Sequence, residues 1–112
     1  MTPPRLKTEI WFQAQLRVCD LNGISMMVLR KGDRESGAVL LKLLRPGEAP
    51  RVYAQTRKID GERAWMKAKL PEPAGEVEAD AYLAREVKRD PDVWVIEIED
   101  RAGSYELDAP VV

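Results

Sequence analysis

The stretch DPDVWVIEIED, residues 90–100, decides how this chain is read. Taken as a strand, it points successive side chains to opposite faces, so Trp94, Ile96 and Ile98 share one face while Val93, Val95, Glu97 and Glu99 share the other. Glu97 and Glu99 then stand ~6.5 Å apart, two residue rises along one face. Such a pair is either a chemical site or the wet side of a sheet.

Outward from this stretch the chain divides cleanly. Asp90-Pro91 ends the preceding helix, because the residue before a proline is pushed out of helical geometry. That helix is expected at about 76–89, after the break LPEPAGE, with Val77, Ala79, Leu83, Ala84 and Val87 on its buried side. Further upstream, glycine-containing segments KGDRESGA, RPGEAP and IDGE separate short runs rich in apolar and β-branched residues. Strands are expected at about 24–31, 38–45, 51–57 and 63–70, and their short connections favour an antiparallel meander. A first helix over 9–21 has Thr8 as its N-cap and Asn22-Gly23 as its stop. A short sixth strand is expected near SYEL. The fold class that follows is α+β: N-terminal helix, four-stranded antiparallel meander, second helix, C-terminal strand. In that reading the helices cover one face of a two-layer sheet.

In the first helix, Ile10, Trp11, Ala14, Val18 and Leu21 fall on one arc, and Phe12, Leu16 and Cys19 on nearly the opposite one. A helix apolar on two sides calls for cover on both, which a chain of 112 residues has little material to supply. With the first arc assigned to the core, Phe12, Leu16 and Cys19 become interface candidates for a homodimer.

The length is that of one ordinary domain. One cysteine and no histidine leave out intrachain disulfides, the usual zinc ligand sets, and Ser-His or Cys-His nucleophile pairs. MTPPRLKTEIWF has no apolar run long enough for a secretory signal, and no run approaches the ~18–20 apolar residues of a membrane span. A cytoplasmic protein without a membrane partner or a cofactor is expected. Although the net charge is −1, residues 24–70 hold 11 Lys/Arg against 5 Asp/Glu, and residues 71–112 hold 4 against 12. Such asymmetry signals either an anion-binding face or two halves that neutralise each other.

Strand three places Arg51, Tyr53, Gln55 and Arg57 on one face, and strand four does the same with Arg63, Trp65, Lys67 and Lys69. Cations with aromatics between them suit a single-stranded nucleic acid, whose phosphates need charge and whose bases need flat surfaces. The alternative is a polar outer face stabilised by a Tyr-Trp cross-strand pair. If the fifth strand lies beside the third or fourth, Glu97 and Glu99 stand opposite cations such as Lys67 and Lys69. A hard metal ion held by these carboxylates would need further oxygen ligands, for which Asp92 and Asp100 are the nearest candidates.

The segments LKTEIW, RKGDRESGAVLLKL, DGERAW and DPDVWVIEIED together resemble a family of short bacterial proteins of unknown function, domain of unknown function 1491. The resemblance implies one cytoplasmic bacterial domain and transfers no catalytic residue. Three functional readings follow, in order of preference: a non-enzymatic, self-associating interaction module; a single-stranded nucleic-acid binder using Arg51, Tyr53, Arg57, Arg63, Trp65, Lys67 and Lys69; and a metal-dependent enzyme using Glu97 and Glu99.

Overall fold

The computed structural model describes residues 6–112. The part of the N-terminal reading that falls on residues 1–5 lies outside them. In chain order the elements are α1 (Thr8–Leu21), β1 (Ser25–Arg30), β2 (Val39–Leu44), β3 (Arg51–Arg57), β4 (Arg63–Lys67), α2 (Glu76–Arg89) and β5 (Trp94–Glu99). The expected order of helices and strands holds. Asn22 and Gly23 end α1, Gly23 taking the left-handed backbone at φ 67° that glycine adopts freely. α2 stops at Arg89, ahead of Asp90-Pro91.

The sheet itself is different from a meander. Its strand order is β1-β5-β2-β3-β4, with β5 antiparallel to β1 and parallel to β2, and with β2, β3 and β4 antiparallel in turn. β5 is therefore central in a five-stranded mixed sheet. The physical reason lies in the opening stretch: Val93, Trp94, Val95 and Ile96 are buried in succession, so this strand has no wet side along its first half. A strand buried on both faces belongs inside a sheet, commonly beside a parallel neighbour. β2 behaves likewise, with Val39 through Leu43 buried without a break.

The helices lie on opposite faces, giving three layers and correcting the expected two. On one face Trp11 and Cys19 of α1 pack with Leu41, Trp65, Trp94, Ile96 and Ile98. On the other, Ala79 and Leu83 of α2 pack with Leu40, Val52, Val93 and Val95. α2 buries a narrower stripe than expected: Val77 and Ala84 are exposed, and Tyr82 joins Val87 as a partly buried contact.

Of the α1 arc expected to face inward, Trp11 is buried as expected, but the rest of that arc and the opposite one change places. Cys19 is fully buried, Phe12 and Leu16 pack against the core, and Ile10, Val18 and Leu21 face outward, Leu21 at 79% exposure. The stripe that goes inside is Trp11, Phe12, Leu16 and Cys19, which includes both aromatics and so removes the most apolar area from water. Phe12 packs at a tilt against Trp94, ring centroids 5.9 Å apart. Thr8 does not cap α1; it is the first helical residue, and its hydroxyl donates to the Gly37 carbonyl at 2.7 Å.

The segment between β1 and β2 must pass over the start of β5, which lies between the two strands. The Asp33 amide donates to the Asp92 carbonyl at 2.9 Å, and the Trp94 indole donates to the Asp33 carbonyl at 2.7 Å. Gly32 and Gly37 serve this crossing through close approach rather than through positive φ, since a Cβ on either would collide with the Asp92 carbonyl. Arg30, Lys31 and Arg34 are engaged locally, Arg30 with the Pro91 carbonyl and the other two with Glu9.

No sixth strand forms near SYEL. After β5 the chain turns at Asp100 and runs to the outer edge of β4, where the Trp65 amide donates to the Pro110 carbonyl at 2.8 Å and the Val112 amide donates to the Trp65 carbonyl at 2.9 Å. Among the described residues no helix is long and apolar enough to cross a membrane.

Candidate functional site

The basic, aromatic face expected on strands three and four is present in register, with Tyr53 opposite Lys67, Gln55 opposite Trp65 and Arg57 opposite Arg63. It is not open. Trp65 has no exposed surface and Tyr53 is buried, because α1 and the tail that follows β5 cover that face. The aromatics are therefore core, and the stacking surface that a nucleic-acid reading needs is absent from this face.

Arg63 is drawn into the same cover. Its guanidinium lies over the rings of Trp11 and Trp65, at 5.3 and 5.9 Å from their centroids. One nitrogen bonds Asp108 at 2.9 Å, and the same carboxylate accepts the Trp11 indole N–H at 2.7 Å and the Trp65 indole N–H at 2.9 Å. Burial opposes the Asp108 charge, yet the bonds from Trp11, Arg63 and Trp65 outweigh it and hold the carboxyl below its ordinary pKa. Three donors from α1 and β4 thus fix one acid of the tail. Nothing in composition pointed to Asp108; the available signal was three large polar-tipped side chains that need partners once buried.

The remaining cations divide. Arg57 is exposed and bonds the Gly61 carbonyl at 2.7 Å, and Arg51 pairs with Glu48 at 2.9 Å. Arg51, Lys67 and Lys69 come together around a cavity of about 290 Å³ at the far end of β3 and β4.

Glu97 and Glu99 do not meet Lys67 and Lys69. Because β5 lies beside β2, Glu97 stands in register with Lys42 and Glu99 with Leu44. Lys42 is 4% exposed, and its amine is held by Asp80 at 2.8 Å and Glu76 at 3.1 Å, both on α2. Burial disfavours its charge, but those two carboxylates more than compensate and raise its pKa. Among the described residues no three acidic or sulfur side chains are placed to hold a metal ion. Cys19 is packed, and burial together with Asp20 and Asp100 pushes its thiol pKa up, away from the reactive thiolate.

Two sheet edges remain to compare. β4 is closed by residues 110–112, whereas β1 stands at the other end of the strand order with no strand beyond it among the described residues. β1 carries Met27, 57% exposed, and Leu29, 46% exposed. An irregularity between Val28 and Arg30 interrupts its pairing with β5 and leaves Ser25–Val28 as the regular part of the edge.

Comparison with known proteins agrees with this architecture. A crystal structure of a family protein from Caulobacter crescentus CB15 is 41% identical, covers 96% of this chain and 100% of its own, and superposes with a TM-score of 0.84. An NMR structure of a family protein from the same organism is 40% identical over 98% of this chain and 99% of its own, with a TM-score of 0.83. The solution structure of protein Atu0922 from A. tumefaciens is 28% identical over 93% of this chain and 90% of its own, with a TM-score of 0.70. No match is found among curated proteins. The family model described as "Protein of unknown function (DUF1491)" matches residues 6–108, and the chain belongs to that family.

Proposed function

We propose that this chain is a single-domain, non-enzymatic interaction module that associates with a second copy of itself along β1. The observation that carries the reading is the contrast between the two sheet edges: one is closed by the chain's own tail, while the other has no strand beyond it among the described residues and bears Met27 and Leu29. An open edge presents unpaired N–H and C=O groups, which pair readily with another strand. Antiparallel pairing of Ser25–Val28 with the same residues of a partner satisfies a two-fold axis, because each surface then meets itself. α1 packs against β1 and turns Val18 and Leu21 outward, so apolar surface is available beside the edge as well as on it.

The interface candidates therefore move from Phe12, Leu16 and Cys19, which the core uses, to Val18, Leu21, Met27 and Leu29. Light scattering across a concentration series tests this. Wild type is expected at twice the chain mass, and Met27→Lys/Leu29→Lys at the chain mass with an unchanged circular dichroism spectrum. Wild type at the single-chain mass at every concentration, or a double variant that still dimerises, would overturn it.

A further inference from the structure

We propose that Arg51, Lys67 and Lys69 form a binding site for a small phosphate-bearing anion. The register that sets Tyr53 opposite Lys67 continues one step through the Ala68 amide, which donates to the Val52 carbonyl at 2.8 Å. Arg51 at the start of β3, Lys67 at the end of β4 and Lys69 two residues beyond it then line one cavity. Like charges at such positions repel and destabilise a sheet. The wall of the cavity they share contains one acid, Glu72, alongside Pro50, Ala68 and Leu70.

The charges are only partly neutralised from within. Arg51 pairs with Glu48 at 2.9 Å, and among the described residues neither Lys67 nor Lys69 forms an ion pair. A phosphate placed between them converts the repulsion into charge-assisted hydrogen bonds, with a guanidinium fork on one strand and two ammonium groups on the other. The cavity volume of about 290 Å³ accommodates a di- or triphosphate group rather than a large apolar ligand. The buried aromatics Tyr53 and Trp65 lie outside this site, so base stacking on this face has no part in it.

Thermal melting and calorimetric titration with tripolyphosphate, ATP and sodium sulfate at matched ionic strength test the site. Tripolyphosphate is expected to raise the melting temperature, and ATP to do so as well if the triphosphate alone is recognised; sulfate should add nothing beyond its ionic strength. Lys67→Gln/Lys69→Gln should weaken tripolyphosphate binding by at least about tenfold. Without ligand that variant should melt at or above wild type, since it removes repulsion and both lysines are exposed. Equal responses of variant and wild type, or no response to tripolyphosphate, would overturn the assignment. So would stabilisation by a single-stranded oligonucleotide with none by tripolyphosphate, which would point to an extended nucleic-acid surface instead.

Discussion

At β4 the sheet ends on the chain's own C-terminal segment: Trp65 holds it through both backbone groups and through its indole, which reaches Asp108. At β1 no strand lies beyond the edge among the described residues, Met27 and Leu29 are exposed, and the register with β5 shifts between Val28 and Arg30. Both edges belong to one sheet, yet one has been closed by about a dozen residues fixed by two carboxylates and the other has no strand beyond it among the described residues. A protein that invests buried hydrogen bonds in closing one edge shows that edges in this fold matter. The difference teaches where a partner strand can be added and where it is already supplied.

Breaking the closed edge should give the largest effects. Asp100 has a fully buried side chain and accepts from Arg45 and from the amides of Ser104 and Tyr105, which start the run toward β4. Asp100→Ala leaves Arg45 without its counter-charge and should lower stability by roughly 3–5 kcal/mol in urea unfolding. Asp108→Asn keeps the shape but removes the charge that Arg63 and two indoles share, so a loss of roughly 1.5–3 kcal/mol is expected. In that variant the Val112 amide, which bonds Trp65, should exchange hydrogen faster than in wild type.

Acid should act on the same edge. Burial opposes ionisation at both Asp100 and Asp108, but the hydrogen bonds to Tyr105, Arg45 and Ser104 in one case, and to Trp11, Arg63 and Trp65 in the other, leave both pKa values below the ordinary one. A carboxyl depressed in the folded state adds stability that is present above its unfolded pKa of about 3.9 and is lost as pH falls through the folded value. Unfolding free energy should therefore decline below about pH 4, with a shallower decline in Asp108→Asn. An identical pH dependence in variant and wild type would show that Asp108 is not one of the groups responsible.

The open edge should behave in the opposite way. Met27→Lys and Leu29→Lys change exposed side chains, so each should shift monomer stability by no more than about 0.5 kcal/mol. Their effect is expected on mass, not on folding. A large destabilisation from either would mean that β1 is more deeply packed than its exposure indicates.

Much of this was legible from local pattern. Element types and order follow from periodicity, glycine punctuation and Asp90-Pro91, because those signals act within a few residues. Strand order was not, because it depends on which strand is buried on both faces. The clue was present in VWVI and VLLKLL, runs apolar at every position but Lys42, which suit a central parallel pair better than an alternating edge. Reading Glu97 and Glu99 as the mark of a wet face hid it, since their carboxylates lie beyond the buried half of β5. The glycines of KGDRESGA mark a break between strands in the sequence, but their close approach to Asp92 exists only once β5 is between β1 and β2. The α1 arcs were separable by sequence, yet which arc faced inward depended on the aromatic contacts of Phe12 and Trp11 with Trp94 and Trp65. Of the seven residues assigned to a nucleic-acid face, Tyr53, Arg63 and Trp65 are taken up by packing under α1 and the tail, contacts too distant in sequence for alternation to reveal.

The most direct test of the edge contrast is the solution mass of wild type beside Met27→Lys/Leu29→Lys, measured by light scattering from low to high protein concentration. A wild-type dimer and a folded, monomeric double variant are the predicted result. A monomeric wild type, or a dimer indifferent to both lysines, would contradict the account.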